Sequence, residues 1–288
     1  MIEKDLNLGY FMVANSTASV DYLRLAYVTA LSIKLTQPKE FNQVAIATLT
    51  PERVNEFAHP WVFDRVIKFD QRPRGMDARA RAYEFTPFKE TVFLDSDLLF
   101  LNPVDHWWNH MRKHDLYVAT RPMTFRNTTA TSKQYRKVFV DNDLPDFYSG
   151  WLYFKESRET AKFFHVLQAL TDHPDLWRKQ LTNCNYLTLP TDEACALTAK
   201  MLDIVEDMSN PELPFPRFTH MKPACQGLGT VVKDWSEQLL FHYDSDLNIK
   251  IGPYSQVDIL HYTIKTLLTD RFIETLEKKV WNKLNPTL

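Results

Sequence analysis

The stretch Thr91-Val92-Phe93-Leu94-Asp95-Ser96-Asp97-Leu98-Leu99-Phe100-Leu101 sets two carboxylates, one residue apart, inside an otherwise apolar run. Thr91 to Leu94 reads as a buried strand that delivers Asp95 and Asp97 at its carboxyl end. In open α/β sheets, ligands bind beyond the carboxyl ends of the strands, so the two acids arrive where chemistry is usually sited. Carboxylates in such apolar surroundings are costly unless they meet a cation or a hydrogen-bond network. Oxygen ligands of this kind suit Mg²⁺ or Mn²⁺, with the remaining positions left to water and substrate phosphates. A turn capped by solvated carboxylates is the plain alternative.

Upstream of this segment the chain alternates between strand and helix. Leu8 to Ala14 is a short apolar run ended by Asn15-Ser16-Thr17, and Asp21 opens a predicted helix whose apolar residues recur at helical spacing until Pro38. Val44 to Leu49 reads as a second strand, Pro51 starts a second helix, and Arg65 to Phe69 reads as a third strand. This β-α-β-α-β order implies a parallel sheet covered by helices. Arg72 to Gly75 is a turn-rich break, and Ala78 to Phe85 reads as a helix. Downstream, Leu116 to Ala119 and Trp151 to Phe154 are strands, while Glu159 to Leu170 and Glu193 to Leu202 are helices. Pro211 to Pro223 holds four prolines and reads as an extended surface excursion. Asp258 to Tyr262 is a late strand, and Leu267 to Leu284 a C-terminal helix. The expectation is one α/β domain over 1–288 with a mixed, mainly parallel central sheet flanked by helices. It divides into a half up to about residue 101, a second half from about 102 to 265, and the helix at 266–288.

Composition removes several function classes. Lys+Arg number 34 and Asp+Glu 36, for a net charge of −2, which gives no footprint for a protein held on nucleic acid by phosphate attraction. The six glycines build neither G-x-G-x-x-G nor G-x-x-x-x-G-K-[ST], Gly227-Leu228-Gly229 lacking the third glycine, so dinucleotide oxidoreductases and P-loop enzymes are disfavoured. An EF-hand is excluded by Leu99 and by the missing glycine of its loop. A haloacid-dehalogenase-type phosphatase fits poorly, since its D-x-D lies near the N-terminus and is followed by a small residue where Leu99 stands. Cys184, Cys195 and Cys225 form no C-x-x-C pair and suggest neither a disulfide framework nor a cysteine zinc site. With a charged N-terminus and no run of 18 apolar residues, the expectation is a cytoplasmic chain without a transmembrane segment.

The segment from Thr86 to Asp97 resembles the signature of metal-dependent GT-A glycosyltransferases, and most resembles retaining glycosyltransferase family eight, which includes glycogenin and bacterial galactosyltransferases. Further blocks follow in that family's order over roughly residues 8 to 265. Val13-Ala14-Asn15, then Tyr22 and its helix, resemble the opening nucleotide-binding element. Arg79 stands where the family places a basic residue facing the donor. Tyr148-Ser149-Gly150-Trp151-Leu152-Tyr153-Phe154 resembles the N-x-G block, with Ser149 where asparagine is usual. Leu189-Pro190-Thr191-Asp192-Glu193-Ala194 resembles the later acidic block, and Asp258-Ile259-Leu260-His261-Tyr262 the strand that ends in a metal-binding histidine. The family's glycine and lysine after that histidine are not matched in spacing: Tyr262-Thr263-Ile264-Lys265 follows instead.

The resemblance implies transfer of a sugar from a nucleoside-diphosphate donor, a UDP-sugar in the first place, to a hydroxyl acceptor, with retention of anomeric configuration. It implies Mn²⁺ or Mg²⁺ held by Asp95, Asp97 and His261. Ala14, Asn15, Tyr22, Arg79, Ser96 and Lys265 would contact the donor. Glu193 or Asp192 would stabilise the cationic sugar. The acceptor stays open among glycan, glycolipid, protein and modified nucleic acid base, and a homo-oligomer is compatible with the sequence. Each residue has an ordinary alternative. His261 sits in an apolar strand, where a hydrogen-bonded core histidine is common. Asp192 and Glu193 are acids that a helix N-terminus favours by itself. Arg79 and Arg81 read equally as surface charges. His220-Met221-Lys222-Pro223 and the aromatic groups Trp107-Trp108 and Tyr148 to Phe154 are weaker acceptor-site candidates. A sugar-phosphate nucleotidyltransferase shares the sheet and the carboxylates but normally carries a glycine-rich loop where Ala14-Asn15-Ser16-Thr17 stands. A GT-A-like module that only binds is the non-enzymatic alternative.

Overall fold

A computed structural model describes residues 2–69, 77–120, 123–126, 136–184, 189–209, 218–220, 241–262 and 268–286. Its centre is a six-stranded sheet in the order β3-β2-β1-β4-β8-β6. The strands concerned are β1 (Leu6–Val13), β2 (Val44–Thr48), β3 (Arg65–Lys68), β4 (Phe88–Leu94), β6 (Leu116–Ala119) and β8 (Tyr148–Lys155). Strands β3, β2, β1 and β4 are mutually parallel, and β8 runs antiparallel to both β4 and β6. A second sheet, β5-β13-β9-β7, joins β5 (Leu98–Phe100), β7 (Met123–Thr124), β9 (Phe218–His220) and β13 (Ile259–His261). A small antiparallel sheet links β10 (Phe241–Tyr243), β11 (Ile249–Ile251) and β12 (Tyr254–Ser255).

The central strands are apolar where both faces are covered, over Tyr10–Met12 of β1, most of β2 and Val92–Leu94 of β4. Tyr10 and Met12 of β1, with Val92 and Leu94 of β4, point to one side. There they meet α1 (Tyr22–Thr36) and the C-terminal helix Asp270–Leu284. Phe11, Phe93, Leu152 and Phe154 point to the other, where helices Arg158–Asp172 and Thr191–Leu202 pack. This is the period of two expected of a strand. Capping sets where the helices begin: Asp21 accepts from the Arg24 amide, Ser157 from that of Thr160, and Thr269 from that of Phe272. Gly9 is required by a close approach, since a β-carbon there would stand 2.4 Å from the Phe88 ring.

The α/β architecture expected from the sequence, a mixed and mainly parallel central sheet flanked by helices, is the one found. Several details differ. The helix expected over Ala78–Phe85 is two short helices, Asp77–Ala80 and Ala82–Phe85, joined at Arg81. The strand expected from Thr91 begins at Phe88, and the three residues after Asp97 form β5, a separate strand. The helix expected from Leu267 is capped by Thr269 and begins at Asp270. Arg72–Gly75 and all of Pro211–Pro223 except β9 lie outside the described residues. Trp107, Trp108, Trp151 and Tyr153 are buried in ring contacts, most of them edge-on, around Tyr10 and Phe100. They are core residues rather than an exposed platform for an acceptor. Among the described residues no helix is long and apolar enough to cross a membrane.

Candidate metal centre

Asp95 follows directly on β4, and the turn through Ser96 and Asp97 leads into β5. That turn is fixed from beneath by α1. The Thr29 hydroxyl, fully buried, lies 2.9 Å from the Ser96 carbonyl and 2.7 Å from that of Leu98, with the Leu98 amide at 3.3 Å. One hydroxyl thus serves the backbone of the turn between β4 and β5, and hydrogen bonds of this kind contribute about 1 kcal/mol each. On its other edge β5 pairs antiparallel with β13, which sets His261 opposite Leu98. The Tyr262 amide then donates to the Asp97 carbonyl at 3.2 Å. Residues 164 positions apart are brought to one point by this register.

One ligand atom each from Asp95, Asp97 and His261 lie within 4.8 Å of one another, and all three residues are buried. His261 Nε2 is 3.1 Å from Asp97 Oδ2, and its Nδ1 is 2.5 Å from the Tyr148 hydroxyl. Asp95 Oδ1 lies 2.8 Å from Arg79 Nη1. This oxygen is buried, and its contact with Arg79 is an ion pair rather than a hydrogen bond. Gly150 gives the carboxylate its room: a β-carbon there would stand 2.9 Å from Asp95 Oδ2 and 2.6 Å from the Tyr148 ring.

The Arg79 guanidinium faces several acids here. Burial works against the Arg79 charge, yet Asp95, Asp97 and Asp192 together outweigh it and hold the group above its ordinary pKa. Two carboxylates and an imidazole, buried together within reach of one point, are a donor set that fits a divalent metal ion. A hydrogen-bonded core histidine, the ordinary reading of His261, explains its Tyr148 contact but not the two buried carboxylates beside it.

Asp192 sits in the first turn of the helix Thr191–Leu202, and its carboxylate is clamped. Oδ1 accepts from the Ser149 amide at 2.8 Å and from the Ser149 hydroxyl at 2.5 Å. Oδ2 is 3.1 Å from Nη2 of the buried Arg136, which also holds Asp146 at 2.7 Å. Ser149 and Gly150 lie side by side on β8, so Asp192 and Asp95 are held by neighbouring residues of one strand. Glu193 is buried too.

The other sequence candidates are placed unevenly. Ala14 is buried and donates its amide to the Ala47 carbonyl. Asn15 Oδ1 accepts from the Leu49 amide at 2.7 Å and the Thr48 hydroxyl at 3.2 Å, which joins the carboxyl ends of β1 and β2. Tyr22 packs half-buried against the core as the first residue of α1. Ser96 is buried between the two aspartates. Lys265, Lys222 and Met221 lie outside the described residues. Three residues that sequence reading did not single out for these contacts are Thr29 beneath the turn, Arg136 behind Asp192, and Tyr148 as the partner of His261. No local pattern marks them, because each acts on a residue 56 to 113 positions away.

No protein-family model and no curated protein sequence matches the chain. Among solved structures it is similar to the apo form of mouse xyloside xylosyltransferase 1, at 12% identity and a TM-score of 0.49, over 91% of this chain and 99% of that one. It is also similar to the glycosyltransferase GlyE of Streptococcus pneumoniae TIGR4, at 11% identity and a TM-score of 0.47, over 96% of this chain and 60% of that one. At such identities the likeness is one of architecture, and the chemistry of this chain has to be read from its own residues.

Proposed function

We propose that the chain is a metal-dependent glycosyltransferase that moves a sugar from a nucleoside-diphosphate donor, a UDP-sugar in the first place, to a hydroxyl acceptor with retention of configuration. The observation that carries this reading is the convergence of Asp95, Asp97 and His261, with Arg79 against them, at the carboxyl end of β4. That is where an α/β sheet presents its ligand.

Asp95, Asp97 and His261 would hold Mn²⁺ or Mg²⁺, which when bound supplies a Lewis acid for the charge that develops on a leaving diphosphate. The chain's own residues supply the rest. Arg79 stays protonated at every pH of interest and offers planar donors suited to phosphate oxygens. Lys265, in the segment after β13, is assigned to the same diphosphate by the family resemblance. Ala14 and Asn15 close the ends of β1 and β2, and with Tyr22 and Ser96 are assigned to the nucleoside side. Of the two acidic candidates Asp192 is the one this reading prefers. Its carboxylate is oriented by Ser149 and Arg136, and it acts on Arg79 at the metal site. There a fixed negative charge stabilises a sugar passing through an oxocarbenium-like state. Attack by the acceptor from the side of the leaving group needs no separate strong base.

Calorimetric titration with UDP, GDP, ADP and CMP, each with Mn²⁺ and with EDTA, tests the reading. One nucleoside diphosphate, UDP, is expected to bind with Mn²⁺ and to lose its heat signal in EDTA. A folded protein that binds none of the four contradicts it.

A further inference from the structure

Tyr148 is buried at the start of β8, and its hydroxyl approaches His261 Nδ1 at 2.5 Å, with the two rings edge-on at 5.9 Å. The opposite ring nitrogen, Nε2, faces the Asp97 carboxylate at 3.1 Å. The imidazole is therefore gripped at both ends, and which end carries the hydrogen follows from the partners. A carboxylate oxygen only accepts, so beside Asp97 the neutral ring keeps its hydrogen on Nε2, and the Tyr148 hydroxyl donates to a bare Nδ1. Once Nε2 gives its lone pair to a cation, the hydrogen of a neutral ring must sit on Nδ1, and the partner there must accept. A backbone carbonyl or a carboxylate at Nδ1 could only accept. A hydroxyl does both by turning about its C–O bond.

We propose that Tyr148 is the positioning residue of the metal centre: it fixes the His261 ring through Nδ1 in both tautomers and lets Nε2 change from donor to ligand without moving the ring. This inference rests on the metal-site reading above. The surrounding geometry supports it. The Tyr148 ring is wedged beside Gly150, where a β-carbon would come within 2.6 Å. Both ends of the contact are set by strands, since Tyr148 opens β8 and His261 closes β13.

The test is a double-mutant cycle on Mn²⁺ affinity, measured with Mn²⁺ alone by electron paramagnetic resonance. Tyr148→Phe keeps the ring and its packing and removes only the hydroxyl. It is expected to weaken Mn²⁺ binding about 10- to 100-fold at an unchanged unfolding midpoint. In a His261→Ala background the same substitution is expected to cost nothing further, because the partner of the hydroxyl is gone. In the metal-free protein, ¹⁵N shifts of His261 should report hydrogen on Nε2. Wild-type affinity in Tyr148→Phe, or an equal loss with and without His261, overturns the assignment while leaving the metal centre intact. A wild-type chain that does not bind Mn²⁺ overturns the metal centre itself and the assignment with it.

Discussion

Replacing Asp95 and Asp97 together by asparagine is expected to abolish metal-dependent donor binding while the chain still unfolds cooperatively. Asparagine keeps the shape of each side chain and one carbonyl oxygen, but removes both charges from a site where Arg79 and His261 are the facing groups. A divalent cation then meets two weak neutral ligands and one imidazole, and the loss should be about a hundredfold or more in Mn²⁺-dependent nucleotide affinity. Fold and binding separate in this experiment. The β4–β5 turn is held by the Thr29 hydroxyl on carbonyls of Ser96 and Leu98, which the substitution does not touch. Calorimetry with Mn²⁺ and UDP reads the binding, and a urea titration reads the fold. A variant that retains Mn²⁺-dependent affinity and full turnover ends the metal assignment.

Asp192→Asn is expected to reduce turnover by about 10²- to 10³-fold and to change donor affinity little, the pattern of a charge that acts in the transition state. The clamp on Asp192 makes the test demanding. An amide has one oxygen for two sets of donors, so either the Ser149 amide or Arg136 is left facing an NH₂ group. An equal fall in turnover and affinity therefore means that Asp192 serves the structure alone. Glu193→Gln is the control, since Glu193 is the neighbouring acid on the same helix and is buried. Its substitution is expected to leave turnover the less affected of the two, and the reverse ranking transfers the role to Glu193.

The sequence made the central sheet legible because its strands are covered on both faces. Val44–Leu49 and Thr91–Leu94 therefore stand out as apolar runs, and Asp21 and Pro38 frame α1 as written. The direction of β8 was not legible, since an apolar run carries no sign of which way it pairs. Strand β5 was hidden for another reason: three residues are too few for periodicity to register, and Leu98–Phe100 reads as a continuation of β4. The site was legible where its chemistry is local, as in Asp95-Ser96-Asp97, and where a family resemblance reached across the gap to His261. It was not legible where one side chain orients another across the fold. Arg136 holds Asp192 across 56 positions and Tyr148 meets His261 across 113. Such pairings are fixed by sheet register and helix packing, and neither is written in the neighbourhood of either residue.

The most direct test is a crystal of the chain grown with Mn²⁺ and UDP, with diffraction recorded at the manganese absorption edge. One anomalous peak is expected at about 2 Å from oxygens of Asp95 and Asp97 and from Nε2 of His261, with the diphosphate on its open side. UDP in place with no peak there, or a peak held by other residues, contradicts it.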